Sequence, residues 1–101
     1  MNFGQALDAA RDGEKIRRKG WNNADAFVVF VSGTYDVKLR AGTPYHNALK
    51  PYHDANGDVV ASIMPHLDMI YPPNVSRPDA FCVPGWLASQ ADMLADDWET
   101  I

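Results

Sequence analysis

The stretch Ala26-Phe27-Val28-Val29-Phe30-Val31 decides the fold class. It is the longest uninterrupted apolar run in the chain. A membrane-spanning helix needs about 20 such residues, so this run is far too short to be one. Its β-branched and aromatic side chains suit a pleated, half-buried surface and predict a strand over 26–31. Ser32-Gly33-Thr34 then turns the chain, and residues 35–39 alternate between apolar and polar. A hairpin closing 35–39 back on 26–31 follows from that pattern.

Working outward toward the N-terminus, residues 15–21 alternate loosely and predict a second strand. Before it, Phe3, Leu7 and Ala10 recur at helical spacing. Asn2 supplies an N-cap and Gly13 a stop, so a helix is expected over 3–12. On the other side, 59–64, 67–71 and 80–83 read as strands, with Pro72-Pro73-Asn74 breaking the chain between the last two. Residues 89–94 predict a helical turn with Met93 and Leu94 facing inward, and 98–101 a closing strand. Residues 40–58 read as an irregular loop, punctuated by Gly42, Pro44, Pro51, Asn56 and Gly57. It carries Tyr45, His46, Tyr52 and His53, and loops of such length are commonly functional or packed on a partner. No repeat, linker or low-complexity segment interrupts the series. The expected architecture is α+β: a small curved antiparallel β-sheet with an N-terminal α-helix and a short C-terminal helix, in one domain spanning 1–101.

Composition narrows the function classes. The 101 residues are 47% hydrophobic and 22% charged, which is ordinary for a globular chain. Thirteen acids against nine bases give a net charge of −4, the wrong sign for a general DNA or RNA binder. The charge is uneven, however. Arg11, Lys15, Arg17, Arg18 and Lys19 crowd 11–20, whereas Asp92, Asp96, Asp97 and Glu99 occupy 90–101 without a base. Cys82 is the only cysteine, so no intramolecular disulfide can form, and a reducing cytoplasm is expected. The opening residues lack the basic and apolar regions of a signal peptide, and no membrane association is expected.

Catalytic signatures fail in turn. Gly33, Gly42 and Gly57 are isolated, so neither a phosphate-binding loop nor a dinucleotide fingerprint exists. Ser32-Gly33 lacks the surroundings of a nucleophile elbow. His46, His53 and Asp54, or His66 with Asp68, match no metal-ligand spacing and read as loop and sheet-surface residues. Cys82, between Phe81 and Val83, is expected to be a buried apolar residue. The richer signal is aromatic. Trp21 follows Arg17-Arg18-Lys19-Gly20 and precedes Asn22; Trp86 follows Pro84-Gly85 and precedes Ser89, Gln90 and Asp92. An indole at such a junction is either a core plug or a stacking surface for a planar base. Indole, amide and cation together suit a nucleotide-like ligand, and the residues alone leave both readings open.

Four segments, in order, resemble one family. Met1-Asn2-Phe3-Gly4-Gln5-Ala6-Leu7 is similar to its opening; Arg18-Lys19-Gly20-Trp21-Asn22 and Pro65-His66-Leu67-Asp68-Met69 are similar to its internal motifs. The run from Trp86-Leu87-Ala88-Ser89-Gln90 through Ala91-Asp92-Met93-Leu94 to Ala95-Asp96-Asp97-Trp98 is close to its terminal motif. These belong to the small phage proteins called Thoeris anti-defense protein two. The resemblance implies a homotetrameric sponge in the host bacterial cytoplasm, neither an enzyme nor dependent on a cofactor or metal. It would bind glycocyclic ADP-ribose without degrading it, and cyclic dinucleotides of CBASS signalling in a second pocket. Carried over by position, the first ligand site would comprise Phe3, Gly4, Trp21, Asn22, Trp86, Ser89, Gln90 and Asp92. Stacking falls to the indoles, ribose hydroxyls to Asp92 and Asn22, and the diphosphate to amides of the first helix. Arg40, Tyr45 and Arg77 are the candidates for the second pocket. The chain departs from the family pattern by a longer 70–80 segment and an added Gly85, both of which would reshape a pocket rim. A small phosphodiesterase using His46, His53 and His66, or a structural protein-binding phage module, are the competing functions.

Overall fold

The computed structural model describes residues 1–22 and 25–101. In chain order the elements are helix α1 (Phe3–Arg11), strands β1 (Ile16–Arg18), β2 (Phe27–Val31) and β3 (Thr34–Lys38), helix α2 (Pro44–Ala48) and a 3-10 turn (Lys50–Tyr52). Strands β4 (Val60–Ile63), β5 (His66–Tyr71) and β6 (Phe81–Pro84), helix α3 (Gln90–Leu94) and strand β7 (Trp98–Thr100) complete the series. The protein is α+β, with open antiparallel sheets. Its chain forms two compact units, Met1–Ser32 with His66–Ile101, and Gly33–Pro65.

The first unit holds a five-stranded sheet in the order β6-β5-β2-β1-β7. Ile16 of β1 lies opposite Val28 of β2 and Thr100 of β7, and Val28 lies opposite Met69 of β5. Helix α1 begins in a reciprocal cap: Asn2 Oδ1 accepts from the Gln5 amide at 2.8 Å, and Gln5 Oε1 accepts from the Asn2 amide at 2.9 Å. It presents Ala6 and Ala10 to the sheet, and these small side chains let it pack closely over Ile16, Val28 and Trp98. Trp98 is the largest fully buried side chain, 2% exposed. Its indole N–H donates to the Asp92 carbonyl at 2.9 Å, so the polar atom is not left unpaired inside the core. Arg17 and Glu99 face each other across β1 and β7 and form an ion pair at 2.8 Å.

The second unit is a two-stranded sheet, β3 on β4, followed through by α2 and the 3-10 turn. Thr43 caps α2 by accepting from the His46 amide at 3.3 Å, and Pro44 fills the first helical turn. Asp54 Oδ1 accepts from the amides of Asn56 and Asp58, which closes the turn before β4. A bulge between Thr34 and Val37 leaves Asp36 at φ 55°, where its amide donates to Ser62 Oγ at 3.1 Å.

Four expectations need correction. Strand β2 pairs with β1 and β5, and β3 pairs with β4, so 26–31 and 35–39 make no hairpin. Gly33, at φ 79° and with a side chain excluded by the Ile63 carbonyl, opens the second unit, in which the chain continues into β3. The irregular loop contains α2 and a 3-10 turn. Met93 and Leu94 point outward, Leu94 at 84% exposure, because this single helical turn faces the fold with Asp92 and Ala95. Cys82 is exposed, since all of edge strand β6 is exposed. No described helix is long and apolar enough to cross a membrane.

Candidate functional site

Three indoles form the scaffold of an open pocket in the first unit. Trp21 follows Gly20, whose amide donates to Asp97 Oδ2 at 2.9 Å. A Cβ at position 20 would stand 2.8 Å from that same oxygen, so a side chain there would push the Asp97 carboxylate aside. Trp86 is set by its own amide, which donates to the Leu67 carbonyl at 2.8 Å. Gly85 before it takes φ 78° and donates to Asp68 Oδ1. Trp21 and Trp86 then meet edge to face at 5.9 Å between centroids, and each meets buried Trp98 the same way, at 5.4 and 6.2 Å.

The pocket has a volume of about 230 Å³ and is lined by Trp21, Asn22, Ala26, Met69, Tyr71, Trp86 and Asp92. Asp92 is the one carboxylate of that lining. Its Oδ1 accepts from the Trp21 indole at 3.1 Å and from Arg18 at 3.0 Å, and its Oδ2 from the Ser89 amide at 3.1 Å. Burial alone would raise its pKa. The hydrogen bonds from Arg18, Trp21 and Ser89 outweigh that and hold it below the usual carboxylate range. Arg18 also donates to Asp97 Oδ1 at 2.8 Å, and that bond, with the Gly20 amide, lowers the pKa of Asp97 too. The Arg18 guanidinium is held still more firmly protonated by Asp97 and Asp92.

Of the first expected set, the structure brings Trp21, Asn22, Trp86 and Asp92 together. Phe3 lies behind them, its ring 5.3 Å from that of Trp98. Ser89 caps α3 and touches Asp92 instead of lining the pocket. Gly4 and Gln90 are exposed at the first turns of α1 and α3. The Gln5 amide, part of the N-terminal turn assigned to a diphosphate, is taken by Asn2. Sequence reading missed Ala26, Met69 and Tyr71. The alternation of Leu67, Met69 and Tyr71 along β5 places them on one face and was the available signal.

The second expected set divides between the units. Tyr45 lines a cavity of about 310 Å³ with Leu39, Leu49, Ala61, Ser62, Ile63 and Met64. Arg40 precedes it, its carbonyl accepting from the Thr43 hydroxyl at 2.8 Å. Arg77 belongs to the first unit. It donates to the Pro72 and Asp79 carbonyls and lies 4.6 Å over the Phe81 ring and 6.0 Å over that of Tyr71. With Asn74, whose side chain accepts from the Ser76 and Arg77 amides, it organises the 70–80 segment.

The His46 and His53 rings lie 4.1 Å apart, their Nε2 atoms on the Gly57 and His46 carbonyls. Among the described residues no three His, Cys, Asp or Glu side chains are grouped to hold a metal.

A family model described as the Thoeris anti-defense 2-like domain matches residues 1–101, the whole chain. No match was found among curated proteins.

Proposed function

This chain belongs to the Thoeris anti-defense 2-like family, and from that premise we propose that it sequesters a cyclic nucleotide immune signal, glycocyclic ADP-ribose, without converting it. The observation that carries the reading is the pocket walled by Trp21 and Trp86, with Asn22 and Asp92 beside the indoles. An indole face stacks on a base for about 1–3 kcal/mol, and the amide and carboxylate suit ribose hydroxyls. Binding without turnover fits the state of Asp92. A general base works best with a pKa near the working pH, and this carboxylate is held below its usual range.

Ligand pockets usually hold about 300–1,000 Å³, so about 230 Å³ suits a base with its ribose better than a whole signal. A homotetramer, with another copy completing the enclosure, answers that shortfall. The exposed Leu87 and Leu94, at 88% and 84%, are apolar surface that such an assembly would cover. Cyclic dinucleotides are assigned to the second unit, on the strength of Tyr45 in its apolar cavity.

The test is retention. Protein incubated with glycocyclic ADP-ribose, filtered and heat-denatured should release the signal unchanged. Product accumulating with protein concentration would favour a phosphodiesterase. No retention, with a host protein co-purifying, would favour a protein-binding module.

A further inference from the structure

We propose that Arg18 is a positioning residue that fixes the pocket wall by clamping Asp92 against the Trp21 indole, and that it is not a phosphate ligand. The geometry is a chain of three links. The guanidinium of Arg18 reaches from β1 to Asp97 Oδ1 through Nε at 2.8 Å and to Asp92 Oδ1 through Nη1 at 3.0 Å. Asp92 Oδ1 then accepts from the Trp21 indole at 3.1 Å. Asp97 closes the frame from behind by accepting the Gly20 amide, the residue that introduces Trp21.

Two features separate a bracket from an anion site. The planar fork of an arginine is suited to holding two carboxylates at fixed spacing, and here two of its donors are committed to acids, Asp92 on α3 and Asp97 just before β7. One cation facing two acids also leaves the trio with excess negative charge, which repels a phosphate. Trp21 is half-buried, its ring edge to face with Trp86 and Trp98, and its polar N–H is anchored on Asp92. The inference about the clamp stands on these distances. Only its consequence for affinity rests on the proposed sponge function.

The decisive measurement is nitrogen-15 NMR of the indole groups in the full chain. In Arg18→Met the Trp21 N–H should shift and exchange with water about tenfold faster, while Trp98, bonded to the Asp92 carbonyl, keeps its protection. The acid midpoint of the Trp21 signal, below the usual carboxylate range in the parent protein, should move upward. An unchanged Trp21 signal in a folded variant overturns the proposal. Should Arg18→Met fail to fold, Asp97→Asn loosens the same bracket from its other side. A several-fold rise in Trp21 exchange is then expected, and no rise is the overturning result.

Affinity for glycocyclic ADP-ribose supplies the second arm. Phenylalanine keeps a ring at position 21 without the N–H, so Arg18 still holds Asp92 but the clamp no longer reaches the ring. Arg18→Met should cost about tenfold in the parent and clearly less, about threefold through Asp92 alone, in the Trp21→Phe background. Equal losses in both backgrounds would mean that Arg18 does not act through the Trp21 indole, which overturns the clamp. If the parent does not bind at all, the sponge function falls and the indole measurement alone decides the role of Arg18.

Discussion

The two units of this chain reach order by different means. Residues 1–32 and 66–101 enclose a dry cluster in which Ala6, Ala10, Ile16, Val28 and Trp98 are almost fully removed from water. Residues 33–65 bury none of their side chains to that degree. They rely on the capped helix at Thr43, the Asp54 turn, one two-stranded ladder and an exposed Lys38–Asp58 bridge. An isolated pair of strands is marginal in water, and exposed ion pairs contribute about 0–1 kcal/mol. The comparison teaches where substitutions will be felt globally and where only locally.

The hardest blow to the first unit is Trp98→Ala. Removing a buried indole costs about 3–5 kcal/mol, against about 5–15 kcal/mol for a whole domain. A melting temperature within two degrees of the parent would break the contrast between the units. Trp86→Ala is next and divides differently. Its ring is half-buried and faces the pocket, so affinity for glycocyclic ADP-ribose should fall about 5- to 150-fold with little change in melting. A large loss of stability with full affinity would return Trp86 to the core.

Thr43→Ala sharpens the picture of the second unit. Losing the cap of α2 costs about 0.5–2 kcal/mol of local stability. Hydrogen exchange should quicken in 43–49 and remain unchanged in β1 and β2. The smallest effect is acid sensitivity, shared by both units. Asp92, Asp97 and Asp54 have folded pKa values below their ordinary ones, Asp54 because it accepts the Asp58 and Asn56 amides. Depressed carboxylates stabilise above the ordinary carboxylate range and lose that contribution as pH falls through the folded values. From these groups, melting should be flat between pH 5 and 7 and decline only in stronger acid, about pH 4 and below. A decline already complete at pH 5 would assign the transition to other groups.

Legibility from sequence tracks the same division. Strand β2 and helix α1 were readable because burial imposes a pattern: a β-branched run in one, Phe3, Leu7 and Ala10 in the other. Helix α2 left no apolar periodicity, because it buries nothing; its trace was Thr43-Pro44, a cap followed by proline. Pairing of 26–31 with 35–39 failed because pattern does not reveal which sheet a turn leads to, and β3 pairs with β4. In the site, Trp21, Asn22, Trp86 and Asp92 were legible through a family motif, whereas Met69 and Tyr71 showed only as an alternation along β5 that does not say which face lines a pocket. Met93 and Leu94 were misplaced because one helical turn is too short for periodicity to fix a face.

The mutual contact of the three indoles has an optical consequence. The chain contains three tryptophans and four tyrosines. All the tryptophans sit in the first unit, with centroids no more than 6.2 Å apart. Light absorbed by one ring is therefore shared within a single emitting group, which reports on the core and the pocket and is blind to the rest of the chain. Tyr35, Tyr45 and Tyr52 belong to the second unit and are all exposed. Emission excited in the tryptophan band thus reads the first unit alone, without labels, whereas absorbance in the tyrosine band sums both units, because Tyr71 of β5 and the indoles contribute to it.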